Sequence, residues 1–196
     1  MNARNFDKEM TALLKENAGG TLLLHSCCAP CSSYCLEEVA AALHTTVFYF
    51  NPNLDSAEEY ERRKGEQIRL LKEKGQADFL DCDYSPELFE AAARGLEGEK
   101  EGGARCAECF RLRLERTAME AKMGGYDFFG TTLTVSPLKN AELINRIGFK
   151  LQEKYGVKYL PSDFKKRGGY LRSIELSKEH ELYRQNYCGC KYSKAR

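Results

Sequence analysis

The sequence predicts an α/β fold: one domain on a mostly parallel, Rossmann-like sheet of about five strands, with helices on both faces and a cysteine-rich C-terminal tail. Three observations predict it. Short β-branched or apolar runs alternate five times with longer, charged, helix-like stretches, the pattern of repeated βα units. A length of 196 residues suits a single domain, here residues 1–196, with a proper core. The polar and cysteine-rich segments follow directly on the strand-like runs, where parallel sheets bind ligands.

Each element has its own signal. Residues 21–26 (TLLLHS) read as a buried first strand that stops at the first cysteines. Residues 32–43 read as a helix with Ser32 or Ser33 as N-cap. The β-branched and aromatic run 45–50 (TTVFYF) is a second strand, closed by the turn residues Asn51-Pro52-Asn53. Residues 56–74 form a charged helix in which Ser56 and Glu59 fit a capping box. Residues 77–83 make a third strand, after which Ser85-Pro86 opens another helix.

Residues 94–105 contain four glycines and no apolar periodicity, which predicts a mobile Gly- and Glu-rich loop inside the domain. A long helix over 106–123 closes at Gly124-Gly125. Residues 126–134 are a fourth strand, 140–155 a helix ended by Gly156, and 157–160 a fifth strand. A last helix over 172–184 leads to the basic, cysteine-rich tail 186–196.

Composition sets the class. Hydrophobic residues make up 42% and charged residues 30%, and the apolar runs are far too short to cross a bilayer. Without a signal-peptide pattern the expected compartment is the cytoplasm, with no membrane partner. Net charge is only +1, yet residues 150–196 carry 12 Lys and Arg against 5 Asp and Glu. A basic C-terminal quarter suits either a solvated face or a polyanionic partner.

Nine cysteines are the strongest signal. In a reducing compartment they point to metal binding or catalysis rather than a disulfide framework. Seven fall in three tight groups: Cys27, Cys28 and Cys31 in CCAPC, Cys106 and Cys109 in CAEC, and Cys188 and Cys190 in CGC. Clustered thiolates hold iron–sulfur clusters or zinc, and seven exceed the four that a closed zinc site needs. Thiols acting in redox chemistry alone are a third reading. CAEC opens a helix, where free N–H groups favour anionic sulfur. Cys188-Gly189-Cys190 suits a strained, redox-active pair, further metal ligands or a disordered tail. Cys35 and Cys82 read as ordinary small buried residues.

Other candidates gather at the same strand ends. His25 reads as a core histidine or a residue that tunes the site. Asp83 and Asp163 end strands, where each caps a helix, holds a metal or moves a proton. Asn51 and Asn53 shape their turn or bind a polar ligand. Thr131, Thr132, Ser136 and Lys139 form a hydroxyl-rich loop suited to phosphate or ribose. No Walker loop, GxGxxG or SGGxDS follows the first strand, so a nucleotide-activating site has no support. Lys165, Lys166, Arg167, Tyr170, Arg172, Arg184, Lys191 and Tyr192 mix cations with aromatic faces, as single-stranded RNA binding requires.

Together HSCCAPC, YFNPN, EEYERR, RCAECFRLRLE, TTLTVSP, DFKK and YRQNYCGC, in this order, resemble the QueH family of epoxyqueuosine reductases over residues 21–193. The resemblance implies a cobalamin-independent oxidoreductase that converts epoxyqueuosine at the tRNA wobble position to queuosine, with electrons from an unidentified donor. It implies a [4Fe–4S] cluster on Cys27, Cys28, Cys106 and Cys109, and a redox-active pair in Cys188 and Cys190. It also implies an additional iron, for which Cys31 is the nearest ligand and an aspartate such as Asp83 a helper. Two rival readings are a sulfur-transfer enzyme acting on tRNA and a zinc-structured RNA-binding module.

Overall fold

The computed structural model describes residues 4–194. Ala195 and Arg196, which end the expected tail, lie outside the described residues. Five strands, β1 (Thr21–His25), β2 (His44–Phe48), β3 (Asp78–Leu80), β4 (Phe128–Thr131) and β5 (Lys158–Tyr159), pair in the order β3-β2-β1-β4-β5. Every pairing is parallel. The chain builds outward from β1 to β3, then returns to β1's other side. A crevice therefore opens between the carboxyl ends of β1 and β4, the switch point where such sheets bind ligands.

The helices are α1 (Phe6–Glu16), α2 (Ala29–Val39), α3 (Ala57–Lys74), α4 (Pro86–Ala93), α5 (Ala104–Met123), α6 (Ala141–Tyr155) and α7 (Gly169–Glu179). Strand alternation divides the core between the two faces. Leu22 and Leu24 of β1 and Phe128 of β4 pack with Met10, Leu36, Val39, Leu71 and Leu176, from α1, α2, α3 and α7. Leu23 and Phe129 point the other way, into Leu114, Ala118, Ile144 and Leu151 of α5 and α6. Among the described residues no helix is long and apolar enough to cross a membrane.

Several boundaries differ from the sequence expectation, each for a local reason. α1 was not expected at all. Asn5 caps it by accepting from the Lys8 N–H at 3.1 Å, and Met10 and Leu14 fix it to the core. α2 starts at Ala29 rather than Ser32, because Cys28 is its extended N-cap and Pro30 sits in its first turn, where a missing N–H costs nothing. Ser32 and Ser33 are thus inside the helix, their hydroxyls 3.1 and 3.0 Å from the Ala29 and Pro30 carbonyls. β4 ends at Thr131, whose Oγ1 accepts from the Leu133 N–H and turns the chain into a 3-10 helix, Thr132–Val135. α5 begins at Ala104, so the end of the glycine-rich segment is helical; Arg105 ties back to the Leu96 and Glu97 carbonyls at 3.0 Å each. α7 runs from Gly169 to Glu179, earlier than expected, which leaves residues 181–194 as a long non-helical tail.

Candidate metal centre

Cys27 follows β1, Cys28 caps α2 and Cys31 lies in its first turn. Their three sulfurs lie within 4.8 Å of one another, with Cys27 and Cys28 Sγ 3.8 Å apart. A single ion with metal–sulfur bonds of about 2.3 Å places tetrahedral sulfurs about 3.8 Å apart, so the trio is spaced like thiolates sharing one ion. Thr132 Oγ1 holds this loop, 3.4 Å from the Cys27 N–H and 3.7 Å from its sulfur.

Cys106 and Cys109 occupy the first turns of α5, a second helix N-terminus. They stand outside the trio and line an adjoining cavity of about 80 Å³, together with Cys188 and Cys190. The larger cavity, about 700 Å³, is lined by Cys27, Cys31 and Cys188. Cys188 and Lys139 belong to both walls. Three cysteine motifs far apart in sequence thus face two neighbouring cavities. All nine cysteines are free thiols.

Residues around α3 put the tail in place. The Asp55 N–H donates to the Gly189 carbonyl at 3.0 Å, and the Asp55 carboxylate accepts from the Tyr187 hydroxyl and the Lys194 ammonium. Arg63 reaches the Cys188 carbonyl at 3.4 Å. Gly189 has φ +115°, and a Cβ there would meet Leu54 Cδ2 at 2.4 Å and Arg63 Nη1 at 2.9 Å. Only glycine fits between the two cysteines.

Nitrogen donors surround the sulfurs. Gln185 Nε2 donates to Cys28 Sγ at 3.1 Å, the Gly102 N–H to Cys106 Sγ at 3.2 Å, and Arg113 Nη1 to Cys109 Sγ at 3.8 Å. The Cys28 and Cys31 thiols donate to Cys27 and hold it well below the usual thiol range, with help from Lys139 and Arg113. In return Cys27 pushes Cys28 up to about 11 and Cys31 well up. Burial pushes Cys109 up to about 11. The first negative charge therefore forms at Cys27. Burial of Lys139 disfavours its charge, but the neighbouring cysteine sulfurs, of Cys188, Cys27 and Cys31, outweigh that and raise its pKa. The donor set is all sulfur with cations and N–H groups turned toward it, which fits a thiolate-held centre of zinc or of iron and sulfide.

The family model described as epoxyqueuosine reductase QueH matches residues 22–196. The epoxyqueuosine reductase QueH of Streptococcus pyogenes serotype M1 is 42% identical over 96% of this chain and 78% of its own length. Those of Staphylococcus epidermidis and Thermotoga maritima are 42% and 40% identical, over 96% and 89% of this chain and 84% and 90% of their own lengths. The chain belongs to the epoxyqueuosine reductase QueH family.

Membership makes it an oxidoreductase and gives the remaining residues a context. Buried His25 lies 3.0 Å from both Thr131 Oγ1 and the Phe50 carbonyl; burial, then Arg113, lowers its pKa to about 3, so it is a neutral core residue. Asn51 is a buried clamp, donating to the Ser26 carbonyl at 2.9 Å and accepting from Arg113 at 2.7 Å. Asn53 lines the smaller cavity, where its buried Oδ1 has no partner. Asp83 is exposed and lines neither cavity. Lys165 pairs with Asp163 at 2.9 Å, and Arg172 with Glu37, Glu175 and Glu179. Lys166 is exposed, while Arg184 lines the larger cavity beside the Tyr170 ring. Cys35 is fully buried and Cys82 half-buried.

The sequence reading gave no role to Arg113, Gln185, Arg63 or Gln67. A signal existed for the first: Arg113 stands four residues after Cys109 on the same helix, the spacing that puts two side chains on one face.

Proposed function

We propose that this QueH-family chain reduces the epoxide of epoxyqueuosine, carried at the wobble position of a tRNA, to the alkene of queuosine. What carries the reading is the convergence of three cysteine motifs on two cavities that share Cys188 and Lys139. The larger, at about 700 Å³, has room for a nucleoside.

The reaction breaks both epoxide C–O bonds and releases the oxygen as water, consuming two electrons and two protons. Closing a disulfide between Cys188 and Cys190 yields two electrons and two protons, and an external reductant, such as a dithiol, then reopens it. Cys27, Cys28, Cys106 and Cys109 would hold a [4Fe–4S] cluster, and Cys31 would stand by an additional iron; together these supply single-electron transfer and Lewis-acid polarisation of oxygen. Lys139 keeps a positive charge on both cavity walls, where the oxygen leaves. Thr132 orients Cys27, and Asn53 lines the smaller cavity beside Cys188 and Lys139. Arg184 and Tyr170 on the wall, with exposed Lys166, suit the phosphates and bases of the anticodon loop. Asp83 lies outside both cavities and is assigned no step.

The spacing of the Cys27, Cys28 and Cys31 trio favours a second reading, a single structural zinc in an RNA-binding module. One experiment separates the two. Protein purified without oxygen is assayed for iron, zinc and acid-labile sulfide, then incubated with dithionite and tRNA containing epoxyqueuosine. The expected result is about four or five irons per chain with matching sulfide, and loss of one oxygen from the nucleoside. Zinc near one per chain, no sulfide after reconstitution and unchanged tRNA would overturn the proposal. Sulfur in the product would instead identify a transferase.

A further inference from the structure

Arg113 is 2% exposed, and among the described residues no carboxylate pairs with it. Arg63, equally buried and also lining the larger cavity, has Glu59 at 2.6 Å. Side-chain ion pairs cover Arg111 and Arg116 on the same helix as well. Arg113 instead donates from Nε to His25 at 3.2 Å and from Nη2 to Asn51 at 2.7 Å, both neutral groups. Its remaining nitrogen, Nη1, faces Cys109 Sγ. An unpaired buried guanidinium is costly, so its anion must be sulfur. The sulfurs that favour its charge, of Cys109, Cys27 and Cys188, come one from each motif.

We infer that Arg113 is a positioning residue of the reductase: beside Lys139, it is a fixed countercharge of the thiolate-held centre, setting how readily that centre accepts an electron without ligating it. The inference rests on the iron–sulfur reading above. Adding an electron to such a centre adds negative charge, and an immobile cation in a dry setting stabilises the reduced form more than the oxidised one. His25 and Asn51 hold two edges of the guanidinium, so the third edge stays on the sulfur. The same clamp links the end of β1, the turn after β2 and the middle of α5.

The test is a redox titration of the anaerobically purified holoprotein, followed by the spectrum of the centre, in Arg113→Met, Arg113→Lys and Asn51→Asp. Arg113→Met removes the charge, so at the wild-type midpoint potential the ratio of reduced to oxidised centre should fall at least tenfold, about 59 mV for one electron. Arg113→Lys, which keeps the charge, should restore most of that ratio. Asn51→Asp places a carboxylate against Nη2 and should lower the ratio in the same direction without touching the guanidinium. An unmoved midpoint in both Arg113→Met and Asn51→Asp, at wild-type iron and sulfide content, would overturn the inference. Where Arg113→Met fails to fold or to hold iron, Asn51→Asp decides alone. Wild-type protein without sulfide fails earlier and overturns the cluster reading itself.

Discussion

Arg172 and Arg113 each make three kinds of polar contact, in opposite surroundings. Arg172 lies on the outer face of α7, against α2, and holds Glu37 at 3.1 Å, Glu175 at 3.3 Å and Glu179 at 2.9 Å, with water to share the charge. Arg113 lies beneath the cysteine rim and holds a neutral histidine, a neutral asparagine and a sulfur. On this seam between α2 and α7, the Arg172 charge has three carboxylates and the arrangement adds a little to stability. On the rim, positive charge is left for sulfur to balance, which costs stability unless the sulfurs are anionic. The seam serves the fold, and the rim serves what the thiolates hold.

The sharpest way to break that contrast is to remove sulfur from the rim without disturbing the fold. Replacing both Cys188 and Cys190 with Ser leaves the backbone anchors of the tail intact, because those use the Cys188 and Gly189 carbonyls. Iron and sulfide per chain should stay at wild-type levels while turnover with a dithiol reductant is abolished. Turnover measured by nucleoside mass spectrometry decides the matter. Undiminished turnover in the double variant would remove the pair from the reaction and leave it as a wall of the cavity.

The same contrast explains what could be read from sequence. Alternating apolar and charged stretches gave the parallel sheet, and the cysteines fell where strands end, so the rim was legible from local pattern alone. α1 is equally local, with Asn5, Asp7 and Glu9 at its start and Met10 and Leu14 one turn apart, but it carries no cysteine and precedes the βα alternation that signals the fold. Cys31's partnership with Cys27 and Cys28 depends on where α2 begins, and Pro30 moved that start by one turn. Arg113's lack of a carboxylate could not be read, since it depends on distant segments bringing His25 and Asn51 to α5. Likewise Arg172 read as an RNA contact until folding placed three glutamates around it.

A smaller effect is expected at the support beneath the rim. Fully buried Gln67 on α3 accepts at Oε1 from the Ser26 hydroxyl at 2.7 Å and the Ser32 hydroxyl at 2.9 Å. It thereby fixes both sides of the loop that carries Cys27 and Cys28. Both hydroxyls also lie near main-chain carbonyls, of Cys28 at 3.3 Å and Ala29 at 3.1 Å, so losing Gln67 does not strand them entirely. Gln67→Leu should therefore destabilise the apoprotein by about 1–3 kcal/mol, as for a buried hydrogen bond with partial replacement. Urea unfolding at constant slope measures it. A wild-type urea midpoint would mean that the loop holds its shape without α3.

The smallest effect belongs to the seam. Arg172→Ala removes contacts to three glutamates, yet all four side chains reach water, and exposed ion pairs are weakened by solvent and salt. The urea midpoint should move less than in Gln67→Leu, and the difference should shrink further in 0.5 M salt, a concentration of order that needed to screen charges a few ångströms apart. Iron content and turnover with a free nucleoside substrate should not change, because Arg172 lines neither cavity. A rise in KM confined to tRNA would assign Arg172 a second role as an RNA contact, made by trading glutamates for phosphates. A loss of iron would break the comparison outright, by showing that the seam and the rim are one unit.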